Sequence, residues 1–197
     1  MMIGNDRVEC DNLVGGQQMR DSTFVIDTFV PALRTLSGVL DKGAEHVRAK
    51  GLDPEAMLKE RIASDMFPLS SQIALACHHA KDGAARAAGL EPPKIDIEEL
   101  NFDEYKTLIA KTIETLTAMN ANAFDGAVEH QVEMSLSGGR VFQSNGLEFV
   151  QHWSIPHFYF HVVTAYDILR HIGVPLGKRD YMTGIVGAHV RQSAPPA

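Results

Sequence analysis

The sequence predicts a mainly α fold, with four long helices packed around one interior and a short β excursion before the last of them. Three observations carry this. Apolar residues recur at separations of three and four over four long segments, the period of a helix stripe. After Asn122 the period drops to two for a short stretch, the signature of a strand. Finally, 197 residues with 45% hydrophobic and 22% charged side chains suit one domain, in which folding buries roughly 70% of the unfolded chain's surface without disulfides or a structural metal.

Residues 1–21 mix polar residues with a Gly-Gly pair and hold no period, so they read as a flexible extension. The domain is expected to span 22–190, with 191–197 a flexible tail. From Ser22, the residues Phe29, Leu33, Leu36, Leu40, Ala44 and Val47 form the first stripe. Pro31 lies inside it and should bend the helix or mark where its regular part starts, because proline lacks an amide. Gly51 is a stop, and Asp53-Pro54 reads as a cap and first position of a short connecting helix. Ser70 or Ser71 is the expected cap of a second long helix running to about Ala88, with Ile73, Ala76, Ala80, Ala84 and Ala87 along one side. Those small residues invite close approach by a neighbouring backbone. Gly89 and Pro92-Pro93 end that helix. A third is predicted over 102–119, striped by Tyr105, Leu108, Ile109, Thr112, Ile113, Leu116 and Met119. VEMSL then alternates, Gly138-Gly139 turns the chain, and VFQSNGLEFV returns as one or two strands of a hairpin. The last long helix is expected from Ser154, as its cap, to His171.

The composition excludes several classes. Eighteen Lys plus Arg against 25 Asp plus Glu give a formal charge of -7, and no basic block offers the counterion exchange that nucleic-acid binding needs. No apolar run approaches the roughly 18 residues of a membrane span, and the charged start is unlike a signal peptide. Two cysteines, Cys10 and Cys77, are too few for a disulfide framework or a Cys-rich zinc module, so a reduced, cytoplasmic setting is expected. No GxSxG elbow, GxxxxGK[ST] loop or nucleotide fingerprint occurs. Cys77, inside a helix with no neighbouring base, reads as a small buried hydrophobe.

The chemistry concentrates in PHFYFHVVTAYDILRH. His157 and His161 are four residues apart on one helix, so their imidazoles share a face and can converge on one ion. Phe158 follows the first histidine, so the HExxH metalloprotease pattern and its water-activating glutamate are absent. CHHA on the second helix offers a third nitrogen. His78 and His79 point about 100° apart, so one of them at most joins the pair. His79 lies nearer the Ala76/Ala80 side and is preferred, with Asp82, Glu129 and His130 as alternative donors.

DKGAEH, DMFPLSSQI, CHHAKDGAARAAG, FDEYKTLIAKT and above all SIPHFYFHVVTAYDILRHIGVPLGKRDYM resemble a family of small bacterial proteins known as a domain of unknown function, a branch of the DinB/YfiT-like superfamily. The resemblance covers about residues 22–187. It implies an antiparallel four-helix bundle with a long crossover connection, usually a homodimer. It also implies, from relatives elsewhere in the superfamily, a divalent metal on three histidines: one from the second helix, here His78 or His79, and the i,i+4 pair His157 and His161. The closer branch often has asparagine at the position of His157 and an Asp-Phe pair at His78-His79, whereas His161 matches.

Two classes of function follow. In the first, His79, His157 and His161 hold Zn²⁺ or Ni²⁺ with a water or substrate thiolate in an open position, for thiol-transferase or hydrolase-type chemistry. Tyr159, Tyr166, Arg170 and Lys178 are then the candidate substrate-binding residues. In the second, the aromatic-rich last helix packs a core and a dimer face, and the bundle binds a small molecule or acts as a non-catalytic homodimer.

Overall fold

The computed structural model describes residues 21–95 and 99–186; the expected extension up to residue 20 and the tail 191–197 lie outside the described residues. Four long helices, α1 (Asp21–Ala49), α3 (Leu69–Ala87), α4 (Phe102–Thr117) and α6 (Ile155–His171), form the bundle. Shorter helices α2 (Pro54–Leu58), α5 (Gly146–Phe149) and α7 (Lys178–Val186) and a hairpin, β1 (Gln131–Ser135) with β2 (Val141–Asn145), complete it. None of the described helices is long and apolar enough to cross a membrane.

The predicted stripes become the interior. Phe29, Leu33, Leu36 and Leu40 of α1, Ile73, Ala76, Ala80 and Ala84 of α3, Tyr105, Ile109 and Leu116 of α4, and Phe158, Val162, Ala165 and Leu169 of α6 are all buried. Burying each of the larger side chains contributes roughly 1.5–3 kcal/mol, the force that gathers four amphipathic segments.

Contacts fix the directions. Lys106 of α4 reaches Asp41 of α1 at 2.6 Å, while Arg48, later in α1, lies over Phe102 at the start of α4, so these two run antiparallel. Cys77 pairs with Thr112, whereas Ala84 and Leu116, each further along its helix, line one cavity, so α3 and α4 run parallel. Their connection must therefore return along the whole bundle. The 14 residues from 88 to 101 span up to roughly 46 Å extended, ample for a helix pair about 28 Å long. This is the long crossover.

Four local expectations change. Pro31 does not mark the start of the regular helix, since α1 is helical from Asp21 across it. The carbonyl it leaves unbonded belongs to exposed Asp27, within reach of solvent, and α7 braces the same stretch. There Gly184 N–H donates to Thr35 Oγ1 at 3.1 Å and Thr35 Oγ1 donates to the Tyr181 carbonyl at 3.1 Å. The start of α3 is flanked by extended Pro68, with Ser70 and Ser71 inside the first turn, because Gln72 N–H already donates to the Pro68 carbonyl at 3.0 Å. The hairpin closes on Gly138 and Gly139, whose φ of 74° and 72° lie in the left-handed region that glycine tolerates. GLEFV is no strand, however: Asn145 and Glu148 form a capping box that starts α5.

The fourth change matters most for the site. Ser154 is not a cap but a helical residue, with φ −68° and ψ −47° and no capping bond. A π-helical turn, Val150–Ser154, joins α5 to α6. Pro156 lacks the amide that an α-helix would aim at the His152 carbonyl, and a widened turn absorbs that lost bond. The wide turn fits against α3 because position 83 is glycine: a Cβ there would stand 2.6 Å from Ser154 Oγ and 2.7 Å from its Cβ.

Gly83→Ala is accordingly expected to destabilise the protein by about 1–3 kcal/mol, the cost of overpacking, seen as a lower urea midpoint at unchanged slope. Ser154→Gly in the same chain should recover part of that loss; a midpoint that Gly83→Ala leaves in place would show that α3 and the wide turn are not so close.

Candidate functional site

Three imidazoles meet where α3 and α6 pack. The helices run antiparallel here, with Gln72 beside His161, His79 beside His157 and His161, and Gly83 beside Ser154. The His79 ring is stacked 4.8 Å from that of His157, at 30°, and 5.4 Å from that of His161, at 7°. His78 meets His79 edge-on at 5.4 Å. The helix-two imidazole lying against both rings of α6 is thus His79.

Two of the rings are held by their Nδ1 atoms. His157 Nδ1 donates to the Trp153 carbonyl at 2.7 Å, and His161 Nδ1 donates to Gln72 Oε1 at 2.7 Å. A carbonyl oxygen only accepts, so each Nδ1 carries the proton and each Nε2 keeps its lone pair. Metal-binding histidines are commonly oriented in this way by a partner on the other ring nitrogen. His79 differs, because its Nδ1 is buried with no hydrogen-bond partner. The donor chemistry, three imidazoles with no carboxylate among them, fits a divalent transition metal. Among the described residues, no three His, Cys, Asp or Glu side chains already stand as a ligand set. The near-parallel planes of His79 and His161 account for this, since in-plane lone pairs in parallel planes do not converge. A turn of the His79 ring, which no Nδ1 hydrogen bond opposes, is what convergence requires.

Burial keeps His79 and His161 neutral at pH 7. Burial, followed by the neighbouring His157, His161 and His78, lowers the His79 pKa to about 3. Burial and then His157 lower that of His161 to about 4. Cys77, also on α3, is pushed up to about 11, chiefly by burial and against a bond to Thr112, so it remains an unreactive thiol at neutral pH.

Aromatic side chains back the cluster. The Trp153 ring is 4.4 Å from His157 and 5.2 Å from Phe142 of β2, and Phe142 packs on Phe149 at 5.8 Å. The hairpin therefore braces the tryptophan behind one candidate ligand. Gln72 and Trp153 were not singled out from the sequence, although spacing marks both. Gln72 lies two turns before His79, and Trp153 one turn before His157, so each shares its histidine's face.

The other candidates lie elsewhere. Tyr159 hydroxyl donates to the Thr28 carbonyl at 3.3 Å, Tyr166 packs on Tyr181 at 5.9 Å, and Arg170 donates to the Leu176 carbonyl. Exposed Lys178 opens α7. These four belong to the α1, α6 and α7 side of the bundle and do not join the histidines. Asp82 is paired with Arg86 at 2.9 Å, and His130 Nδ1 contacts the Ala87 carbonyl at the end of α3, 3.1 Å away.

Four long helices packed around one apolar interior define the class by fold, that of four-helix-bundle proteins. Within it, the chain belongs to the family described as a domain of unknown function, DUF1993, which it matches over residues 23–182. The crystal structure of a DinB family member protein from Shewanella denitrificans is 31% identical, with a TM-score of 0.75 over 89% of this chain and 98% of that one. The chain is thus DinB-like. No curated protein matches it.

The lowered histidine pKa values have a measurable consequence in metal-free protein. An unfolded histidine titrates near 6.5, so below that pH the unfolded state binds protons that the folded cluster refuses. Stability is then full above about pH 6.5 and falls as pH drops toward 4. Urea titrations after chelator treatment should lose roughly 1–2 kcal/mol per buried ring between pH 7 and pH 5. A His79→Phe, His161→Leu double variant should show a flatter profile, and equal pH dependence in the two proteins would count against neutral buried rings.

Proposed function

We propose that His79, His157 and His161 hold a divalent metal, Zn²⁺ or Ni²⁺, and that the protein carries out metal-assisted chemistry of thiol-transferase or hydrolase type. The observation that carries this reading is the contact of His79 with both α6 rings while the Nδ1 atoms of those rings are anchored on oxygen acceptors. When bound, the metal supplies a Lewis acid that lowers the pKa of a water or thiol and stabilises developing negative charge. The residues of the chain orient the ligands. Gln72 and the Trp153 carbonyl hold two imidazoles, and the Phe142–Trp153 pair shields His157 on one side.

The second reading, a non-catalytic homodimer or small-molecule binder, draws on the same helix. Stacked neutral rings not arranged as a ligand set also suit a packed polar core, and Phe160 and Val163, 58% and 40% exposed on α6, offer an apolar face to a second copy.

Elemental analysis of protein purified without a histidine tag separates the two. Near-stoichiometric zinc or nickel, lost from His157→Ala and from His161→Ala, is the expected result; metal-free protein that takes up neither ion and variants that fold unchanged favour the second reading. The single tryptophan provides a further readout. Ni²⁺ added to the metal-free protein should quench Trp153 fluorescence saturably at about one equivalent, and His157→Ala should abolish the quenching.

A further inference from the structure

We infer that Gln72 is a positioning residue for the histidine cluster, its side-chain amide holding His161 in the tautomer whose Nε2 bears the lone pair. Gln72 is 1% exposed, sits in the first turn of α3 and has both ends of its amide engaged. Its Nε2 donates to the Phe67 carbonyl at 3.0 Å, and its Oε1 faces His161 Nδ1 at 2.7 Å. The first bond settles the second. Only the NH₂ end can meet a carbonyl, so the oxygen end must face the ring, and an acceptor at that place requires Nδ1–H. Reversing the amide would set the Gln72 oxygen against the Phe67 carbonyl, two acceptors with no donor between them, and leave both buried oxygens without a partner.

A buried glutamine beside Ile73, Ala76 and Cys77, all buried and apolar, is costly unless it performs this pairing. An apolar residue would fill the same volume and leave the His161 ring free to choose its tautomer and angle. The anchor also extends beyond α3. The Phe67 carbonyl lies in the connection between α2 and α3, which is tied at its end by Leu69 N–H donating to the Glu60 carbonyl at 2.8 Å. The amide's orientation, and through it the imidazole's, is therefore set by that connection together with α3. This is a positioning role through His161, and its effect on metal affinity rests on the function proposed above.

The tautomer is measurable without any metal. Nitrogen-15 correlation spectra of metal-free protein at pH 7.5 should show His161 as the Nδ1–H form; a His161 found as the Nε2–H form, or as a mixture, overturns the inference. Gln72→Leu should convert that single form into a mixture, and Gln72→Glu, which retains an acceptor, should preserve it. Loss of the form in the glutamate variant, or its retention in the leucine variant, counts against the assignment. Should the leucine variant fail to fold, the wild-type and glutamate spectra still decide. Zn²⁺ titration of the same samples should then show an affinity about 10–100-fold weaker for Gln72→Leu than for wild type. Wild-type protein that shows the predicted tautomer but binds no zinc would defeat the metal reading and leave the assignment of Gln72 standing. Wild-type protein that binds zinc with a mixed tautomer would do the reverse.

Discussion

The close antiparallel contact of α3 with the α5–α6 helix is the constraint on which the rest of this structure depends. It exists because α3 carries small buried residues at the contact, Gly83 and Ala87, and because the partner places Ser154 and Gly146 against them. Added Cβ atoms would collide at two points: at Gly83 with Ser154, and at Gly146 with the Ala127 carbonyl and the Ala87 backbone at 2.9 and 3.0 Å. Small residues thus bring two backbones close enough for side chains one or two turns away to meet. Without that approach, His79 would not lie 4.8 Å from His157.

The π turn is the second half of the same device. A proline placed early in α6 removes an amide, and the helix answers by widening rather than by ending. The result is a continuous helical path from Gly146 to His171, with Trp153 in the wide turn and His157 one turn beyond it. The Trp153 carbonyl holds His157, the Trp153 indole packs on it, and β2 braces the indole through Phe142. The hairpin, marginal as a two-stranded ribbon in water, thereby gains apolar partners and contributes to the site at the same time.

Two of the three rings that result, His79 and His161, are buried. Burial keeps His79 and His161 unprotonated at neutral pH, as a ligand role and a packed polar core both require, and the anchored Nδ1 atoms decide which nitrogen of each α6 ring remains available. The polar groups on the other side of α6 do different work: Tyr159 joins it to α1, Tyr166 to Tyr181 of α7 and Arg170 to the turn before α7, and Asp180 ties the start of α7 to Lys42. DinB-like membership fixes the bundle for both readings of function and does not choose between them.

Much of this was legible in the sequence by itself. Helix periodicity alone marked the four long elements, because burial of an apolar stripe is a local pattern with a global consequence; Gly138-Gly139 marked the hairpin turn, because only glycine adopts those angles freely. The i,i+4 spacing of His157 and His161 put both on one face for the same geometric reason. What spacing along one helix cannot report is the rotation and depth of its neighbour. Bringing His79 against both α6 rings, turning GLEFV from strand to helix, replacing a cap at Ser154 by a wide turn, and bringing Gln72 to His161 across 89 positions all depended on how α3 and α6 settle against each other. Only the packed tertiary structure decides that, because close approach is determined by small residues on both surfaces at once.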